Sequence, residues 1–474
     1  MEHKLLFAPF FVPIDERDAF KSNAMLLIQF AILIAMILIG SQMKGIGLGV
    51  MGMVGLLIFV FVFQMKPGDP PIDVMLVIMA IVSTAATLQA CGGLDYLVRL
   101  AERVIRSNPS NIVFIAPFTV YFFCLFAGTA HLLYSLLPII AEVATKKRIR
   151  PERPLSVSVI ASHLAITGSP MSAATAAFAG ASILAYPGAL IDIMKICIPA
   201  CLIGIFITCL VVLKKGKELN EDPIFLEKMK DPEFAKSLDA DEDASGNQKP
   251  LKKGAKISVV IFAIAVLLIV IAGAFPQLLP QFEPGAASLV VKANGELQMV
   301  SVISMITLTA SALMMLITKT SAVSVTKVSL FSSMATAVVS VFGVVWMSAT
   351  FMSHNEVVIK GFLSDIVTLY PWTFAIAVFI LGALMFSQAA TTKTMMPLGM
   401  ALGVSNPALI AIFPAVNADF VLPGYPTLLA AINFDRTGST KIGKFVVNHS
   451  FMIPGLVAII VAIAAGFLLG SFLL

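Results

Sequence analysis

The chain has 474 residues, of which 58% are hydrophobic and only 12% are charged, and its mean hydropathy is +0.96. A soluble protein of this length carries about twice that charged fraction, so the composition excludes a soluble globular domain. The formal charge of +5 does not indicate a nucleic-acid partner, because the basic residues lie at the edges of apolar segments. All five cysteines lie inside apolar runs without a C-x-x-C pair, which favours buried side chains over metal or disulfide roles.

Apolar runs of about 20 residues recur from residue 25 onward, and each is long enough to cross about 30 Å of hydrocarbon as a helix. Two further apolar stretches, 111–145 and 371–403, are interrupted midway by small and polar residues. Their arms of about 15 residues give about 22 Å of helix, so we predict re-entrant hairpins. The predicted fold class is an all-α polytopic membrane protein with these two hairpins and ten transmembrane helices, at 25–43, 45–64, 72–92, 155–186, 187–213, 257–276, 300–318, 328–352, 407–434 and 445–472.

One hydrophilic segment, 214–256, holds ten lysines and ten acidic residues and is too polar to form a packed core. We predict that this linker separates a first repeat at 25–213 from a second repeat at 257–474. Each repeat has three spans, a hairpin and two more spans, and because five is an odd number the second repeat is inverted in the membrane. The first three spans of each repeat would form a scaffold domain, and the remainder a mobile transport domain. Residues 1–24 lack the layout of a cleavable signal peptide, so we predict that they are an N-terminal extension or the product of a misplaced start.

The distribution of lysine and arginine predicts the orientation, because cytoplasmic loops carry the excess of positive charge. With both termini outside, the inward loops receive 24 of the 32 basic residues, including the cluster from Lys146 to Arg153 and those of the linker. Both termini are therefore predicted to face outward, and the linker is predicted to be cytoplasmic.

Four interruptions of the apolar segments should converge, because irregular backbone at membrane depth must line a cavity or be buried in protein. Two are the hairpin tips, and two are the sequences Gly168-Ser169-Pro170 and Gly424-Tyr425-Pro426. Proline breaks the helix at the last two positions, and the half-helices that follow present N-terminal amides that attract anions. The predicted substrate-binding residues at the four breaks are Gly128, Thr129, His131, Ser169, Pro170, Ser387, Gln388, Thr391, Thr392, Tyr425, Pro426 and Thr427.

The polar side chains at these breaks are mostly hydroxyls, with one amide and one imidazole. They suit a small carboxylate, which needs several hydrogen-bond donors without the desolvation cost of a buried arginine. The alternative for each hydroxyl is a bond back to the carbonyl one turn earlier in its own helix. Lys393 also has two interpretations, since it can neutralise one carboxylate or extend to the membrane edge. No metal or other cofactor is predicted.

Three further features have local interpretations. His163 stands alone on an apolar stretch, which favours a satisfied buried imidazole over a proton relay. Asp419 is an acid at membrane depth and is therefore a functional candidate. The spacing Gly45-x-x-x-Gly49, followed by Gly52 and Gly55, predicts a helix-packing face, because no G-K-[ST] sequence follows it.

Eight short motifs follow one another between residue 25 and the C-terminus. They are Gly92-Gly93-Leu94-Asp95, Phe126-Ala127-Gly128-Thr129, Leu137-Pro138-Ile139-Ile140, Arg150-Pro151-Glu152-Arg153-Pro154, Ser387-Gln388-Ala389-Ala390, Pro423-Gly424-Tyr425-Pro426, Phe434-Asp435-Arg436-Thr437-Gly438 and Ile442-Gly443-Lys444-Phe445-Val446-Val447-Asn448-His449. With these motifs the chain resembles the anaerobic C4-dicarboxylate transporter family of the Dcu A/B type. It departs from the family pattern at residues 1–24, since family chains usually begin near Met25, and at Asp419.

The resemblance implies electroneutral exchange of fumarate, malate, aspartate and succinate across the bacterial inner membrane, so the outward side predicted for both termini from the basic residues is the periplasm. It also implies kinship with the ion-transporter superfamily, in which a transport domain moves against a scaffold. The implied partners are small dicarboxylates and the lipid bilayer, with no nucleic acid, and the scaffold helices are a candidate homodimer surface. Rings of one charge that would indicate a channel are missing, as is the catalytic cluster of a membrane enzyme. A cation-coupled symporter of related organic anions stays an open alternative.

Overall fold

The computed structural model describes residues 16–474 apart from 44–45, 181–182, 185, 187, 235–249, 287, 289, 386, 423–424 and 444–447. The described residues form helices and loops, and their β-type pairing is limited to three isolated bridges. The prediction of an all-α protein is therefore confirmed. Predicted features at residues 1–15, Gly45, Phe386 and Gly424 lie outside the described residues.

The first half of the chain contains nine described α-helices, and one further helix lies in the linker. In chain order they are α1 Glu16–Met43, α2 Gly47–Leu57, α3 Ile72–Ala90, α4 Gly93–Ser107, α5 Ile112–Ala127, α6 Leu133–Lys146, α7 Glu152–Leu164, α8 Ala173–Phe178, α9 Ala189–Val212 and, in the linker, α10 Pro223–Lys228. Helices α5 and α6 are the arms of the first hairpin, and α7 and α8 lie on either side of the break predicted at Pro170.

The second half also contains long apolar helices, a pair of helices joined at a tip, an interrupted segment and a final helix. Its described helices are α11 Ala255–Ala274, α12 Met299–Thr318, α13 Ala322–Thr326, α14 Ser329–Leu369, α15 Trp372–Met385, α16 Gln388–Ala401, α17 Asn406–Ile412, a 3-10 helix at Phe413–Phe420, α18 Pro426–Phe434 and α19 Met452–Leu473. Helices α15 and α16 are the second hairpin, and the second break separates the 3-10 helix from α18. Helix α14 has 41 residues and continues past the predicted end of its span at residue 352.

A short amphipathic helix, α4, follows α3 after a bend of 77°. Its buried side includes Leu94, Leu97 and Ile105, whereas Arg103 is exposed. The bend requires a φ of +84° at Gly92. Glycine adopts this conformation readily, whereas a residue with a side chain does not. The sequence prediction omitted this helix, because its arginines interrupt the apolar run.

In the described part of the chain, six helices are long and apolar enough to cross a bilayer, which confirms the polytopic membrane class. They are Pro109–Ala127, Ala189–Val212, Ala255–Ala274, Met299–Thr318, Leu330–Asn355 and Met452–Leu473. The number of ten spans stays a prediction. The first of the six is an arm of the first hairpin, and at 19 residues it is longer than predicted, because a 3-10 turn precedes α5.

The first three apolar helices of each half pack against one another. Helix α2 packs along α14, α3 packs along both α12 and α14, and α11 packs on α12. Two buried polar contacts cross this group: Ser311 donates to the Thr84 hydroxyl at 2.9 Å, and Asn355 donates to Oε1 of Gln29 at 2.9 Å. The last helices of the two halves, α9 and α19, pack along each other. The division into scaffold and transport domains stays a prediction.

Glycines allow α2 and α14 to touch backbone to backbone. A Cβ atom on Gly49 would overlap the Val339 carbonyl, and one on Gly343 would overlap the Gly49 carbonyl. Gly52 faces the Gly343 backbone, and Gly55 faces a methionine of α14. The described glycines of this motif therefore form a helix-packing face, as predicted from their spacing.

Candidate functional site

The first hairpin turns at Gly128, which ends α5 in the left-handed conformation with a φ of +67°. Thr129 is extended and caps the next turn, because its Oγ1 accepts a hydrogen bond from the His131 amide at 3.2 Å. The same Oγ1 lies 2.6 Å from Nδ1 of His131. A Cβ atom on Gly128 would overlap the Met171 carbonyl. The first tip therefore touches the first helix break.

The second hairpin tip has the same capping chemistry. Ser387 is extended, and its Oγ accepts a hydrogen bond from the Ala390 amide at 3.3 Å at the start of α16. Such a cap satisfies one of the unpaired amides of the first helical turn and leaves others at the helix start. Gln388 donates from Nε2 to Oδ2 of Asp419 at 2.9 Å. The second tip therefore touches the second helix break.

At the first break, the polar groups are satisfied within the protein. The buried Ser169 hydroxyl donates to the Leu125 carbonyl at 2.6 Å and accepts from the Met171 amide at 3.2 Å. Pro170 has no amide hydrogen, so the chain cannot continue a helix here. The next helix, α8, is capped by Ser172. The Ser169 hydroxyl proton is thus engaged, and substrate binding by Ser169 and Pro170 stays a prediction.

At the second break, five side chains from both halves meet, and we call them the central cluster: His163, Gln388, Asp419, Tyr425 and Thr427. Nδ1 of His163 lies 2.9 Å from Oδ1 of Asp419, and its Nε2 lies 2.8 Å from the Thr427 hydroxyl. The Tyr425 ring meets the imidazole edge to face, with centroids 5.0 Å apart. The side chains of His163 and Asp419 are fully buried, and neither Nδ1 nor Oδ1 has a hydrogen-bond partner of good geometry among the described residues.

Local sequence explains how the second break is held. Pro426 occupies the first position of α18, where its missing amide hydrogen removes no helical bond. Asn417 interrupts the preceding 3-10 helix and donates to the Pro414 carbonyl at 3.0 Å. Nε2 of His449 lies 3.2 Å from the Val421 carbonyl. Backbone groups freed by the break are therefore satisfied by side chains, which keeps the central cluster in place.

Helices of the two halves interlock around this cluster. Helix α6 of the first hairpin packs on α18, and α16 of the second hairpin packs on α8. The first arms α5 and α15 pack against the helix that precedes the break in their own half. Tyr134 of α6 lies beside the first tip, because its ring centroid is 6.0 Å from that of His131, and α6 itself packs on the helix that follows the second break. The tips and breaks therefore meet in one region.

Thr391 and Thr392 bond back to their own helix. Their hydroxyls donate to the carbonyls of Ser387 and Gln388, at 2.8 and 2.7 Å respectively. This is the local alternative that the sequence left open for hydroxyls inside spans. Both side chains are buried and their hydroxyl protons are engaged, so their part in substrate binding stays a prediction.

The contact between His163 and Asp419 was not predicted, although each residue was singled out separately. Sequence spacing does not show which residues of the two halves face each other. A signal was nevertheless present: His163 lies five residues before Gly168, and Asp419 lies five residues before Gly424. The two residues thus occupy equivalent places before the two breaks. The expectation of a satisfied buried imidazole at His163 is met at Nε2 but not at Nδ1, which lies 2.9 Å from Oδ1 of Asp419 without hydrogen-bond geometry.

Two other predictions concern charge and metals. Lys393 is half-buried on α16, and both of its predicted roles stay open. Over the described ranges, no group of three or more His, Cys, Asp or Glu side chains is arranged to hold a metal ion.

A buried ionic network lies beside the loop that follows α18. Arg150 pairs with Glu152 at 2.7 Å and with Asp222 of the linker at 2.5 Å. The Glu152 amide donates to the Ser439 hydroxyl at 3.1 Å, and Ser439 in turn donates to Asp435 at 2.7 Å. Burial raises the pKa of Asp222, but hydrogen bonds from backbone amides and from Arg150 outweigh it and hold the pKa below its ordinary value. The network ties the linker to the loop before α7 and to the loop after α18.

One family matches the chain from residue 25 to residue 474. The family model described as anaerobic C4-dicarboxylate membrane transporter matches residues 25–474. The chain belongs to this family. A similar relative is the C4-dicarboxylate transporter DcuA of Wolinella succinogenes, 40% identical over 455 residues, which cover 95% of this chain and 100% of the relative. Another is the anaerobic C4-dicarboxylate transporter DcuB of Escherichia coli, 38% identical over 448 residues, which cover 94% and 98%.

The fold of this family member is also similar to a solved structure. The crystal structure of the YdaH transporter of Alcanivorax borkumensis, described as having an unusual topology, matches with a TM-score of 0.51. The match covers 88% of each chain at 14% sequence identity, so the likeness concerns the fold alone. Within this fold, two of the motifs that carried the family resemblance form the hairpin tips, around Thr129 and Ser387.

Proposed function

We propose that the protein exchanges C4-dicarboxylates, including fumarate, malate, aspartate and succinate, across the bacterial inner membrane, with fumarate/succinate antiport as its main activity. Membership of the C4-dicarboxylate transporter family supports this substrate class, as do the names of the DcuA and DcuB relatives. One structural observation carries the proposal. The two hairpin tips, each capped by a side-chain hydroxyl, lie next to the central cluster.

The two tips suit the two carboxylates of the substrate. Thr129 and Ser387 each cap the start of a helical segment, where unpaired amides and the positive end of the helix dipole favour an anion. In the proposal, one carboxylate of the substrate binds at the first tip near His131, and the other binds at the second tip near Gln388. The carbon chain between them would contact the Tyr425 ring. Neutral donors of this kind bind an anion without a buried arginine.

The proposal includes two inverted repeats and an elevator movement. The repeated order of three apolar helices, a hairpin, a broken helix and a final helix supports the repeats. Because α6 packs on α18 and α16 packs on α8, the two hairpins and two broken helices can move as one body. That body would slide against α1–α3, α11, α12 and α14, with both termini periplasmic, as the basic-residue distribution favours.

Counterflow in proteoliposomes tests the proposed function. Liposomes loaded with fumarate should take up labelled succinate faster than liposomes without internal dicarboxylate, even when sodium and proton gradients are absent. Liposomes loaded with acetate are the matched control and should not stimulate uptake. Uptake that needs an ion gradient but no internal fumarate would favour the cation-coupled symporter instead. Absence of succinate uptake under every condition would contradict dicarboxylate transport.

A further inference from the structure

Three exposed lysines stand at one end of the helix pair formed by α11 and α12. Lys253 precedes α11, Lys256 lies in its first turn, and Lys319 follows α12. The two helix ends are in contact, because a Cβ atom on Gly254 would lie 2.6 Å from Cβ of Thr318. Lys253 and Lys319 are the chain neighbours of these two residues, so the three lysines gather at the same end of the pair. The distribution of basic residues predicts that this end is cytoplasmic.

The charge around these lysines is positive. Helices α11 and α12 contain no acidic residue. Helix α4, which packs on α11, carries Asp95 in its first turn, and its other acidic residue, Glu102, is paired with Arg106. Lys252 donates from Nζ to the Ala90 carbonyl at 2.7 Å, which holds the start of α11 beside the end of α3. Three exposed lysines beside the single acid of that turn leave a positively charged helix end.

An open apolar groove lies between the same two helices and has a volume of about 310 Å³. The lining residues Ala265 and Ala310 are small and buried, so they leave space at its floor. The lining residues Ile264, Leu268 and Leu313 are exposed and form its walls. Lipid tails are as apolar as these side chains, so an acyl chain can fill the groove.

The distance between the lysines and the groove suits one phospholipid. An α-helix rises 1.5 Å per residue, so the lining residues Ile261 and Leu268 lie about 8 and 18 Å along α11 from Lys256. One leaflet supplies about 15 Å of hydrocarbon, which is half of the bilayer core. A phospholipid whose phosphate contacts the lysines therefore places an acyl chain along the groove.

We propose that the lysine cluster and the groove form a binding site for one anionic phospholipid. The phosphate accepts hydrogen bonds from Lys253, Lys256 and Lys319, and one acyl chain lies between α11 and α12. Basic residues at the cytoplasmic ends of transmembrane helices attract anionic headgroups in this way. The site contains none of the residues proposed to bind substrate, so the inference does not depend on the proposed function.

Native mass spectrometry of the detergent-purified protein tests the headgroup contact. Wild type should bind one phosphatidylglycerol, and phosphatidylcholine, which has no net charge, should bind at least about tenfold more weakly. The triple variant Lys253→Gln, Lys256→Gln, Lys319→Gln should lose roughly 100-fold in phosphatidylglycerol affinity, because each lysine near an anionic surface contributes about fivefold. The matched control removes three exposed lysines outside α11 and α12 and should bind as wild type: Lys147→Gln, Lys214→Gln, Lys217→Gln.

A second pair of variants tests the groove. Thr309 lines it and is exposed, so the indole of Thr309→Trp should occupy the space of the acyl chain. We expect phosphatidylglycerol affinity to fall by at least about tenfold, which is the effect of losing two buried methylene groups. Leu308→Trp places the same ring on an exposed position of α12 that does not line the groove, and it should bind as wild type.

Four results would overturn the inference. The first is equal affinity of wild type for phosphatidylglycerol and phosphatidylcholine, and the second is a triple variant that binds like its control. The third is displacement of the lipid by an equal concentration of glycerol phosphate, which has the charge but no acyl chain; normal affinity in Thr309→Trp would contradict the groove in the same way. The fourth is a wild-type dimer that binds no phosphatidylglycerol, because the groove would then be a contact between two copies of the chain.

Discussion

His163 and Asp419 come from opposite halves of the chain, yet Nδ1 of the imidazole lies 2.9 Å from Oδ1 of the carboxylate. Removing one partner of a buried pair leaves the other without compensation, which costs about 3 to 5 kcal/mol. We therefore expect His163→Ala and Asp419→Ala each to lower the free energy of unfolding by that amount. The double variant should lose clearly less than the sum of the two, and unfolding of the detergent-purified protein measures all three values.

The exposed pair Lys230–Glu227, at 2.6 Å, is the control for this double-mutant cycle. Exposed ion pairs contribute little, so its coupling should be close to zero. Additive effects of His163→Ala and Asp419→Ala would show that the two side chains do not interact.

The close packing of α2 on α14 predicts a sensitive glycine. In Gly343→Ala, the new methyl group meets the backbone of Gly49, which cannot rotate away. We expect a loss of about 1 to 3 kcal/mol in unfolding free energy, although alanine is the better helix former. Gly285→Ala is the matched control, because a Cβ atom there meets nothing within 4 Å and stability should not change. Equal stability of the two variants would refute the packing face.

The predicted orientation can be tested with single cysteines. The five native cysteines are buried, so a new exposed cysteine gives the labelling signal. A cysteine at the exposed position Lys147 should react with a membrane-impermeant thiol reagent only from the cytoplasmic side. One at the exposed position Glu283 should react only from the periplasmic side. The opposite pattern would reverse the orientation, and labelling of both sites from one side would contradict it.

The ionic network at Arg150 predicts how the linker is held. In Arg150→Ala, Glu152 and Asp222 lose their shared partner, so we expect faster proteolysis in the segment around α10. Lys230→Ala removes an exposed pair and should leave the cleavage rate unchanged. The lowered pKa of Asp222 means that its contribution is complete above the ordinary carboxyl pKa and is lost as the pH falls through the lowered value. Protection of wild type should therefore persist at neutral pH, and equal cleavage of both variants would contradict this role.

The lengths of the apolar runs were sufficient to locate most helices in the sequence, because a membrane-spanning helix needs a minimum number of consecutive apolar residues. Helix α9, for example, begins and ends within two residues of its predicted span at 187–213. The breaks near Pro170 and Pro426 were also predictable, since proline cannot continue a helix. Helix α4 was not predicted from apolar length, because its arginines interrupt the apolar run. Its apolar side is visible only when residues are compared at the 3.6-residue helical period.

The candidate site was harder to predict than the helices. The capping roles of Thr129 and Ser387 follow from their position before a helix start. By contrast, the sequence cannot tell whether Thr391 donates to a ligand or to the Ser387 carbonyl, because both need the same hydroxyl. The His163–Asp419 contact depends on how the two halves face each other, which spacing within one half does not determine.

Succinate binding by a tip variant tests the central claim, that the dicarboxylate binds between the two hairpin tips. Hydrogen bonds to a charged group contribute about 1.5 to 3 kcal/mol each. In calorimetric titrations, Thr129→Ala and Ser387→Ala should therefore each raise the Kd of succinate by roughly 10- to 100-fold, and the double variant should raise it further. Thr326→Ala, which removes an exposed hydroxyl from α13, should keep the wild-type Kd. A folded double variant that binds succinate within about twofold of wild type would contradict the claim, because a twofold change is far below the loss of even one charged hydrogen bond.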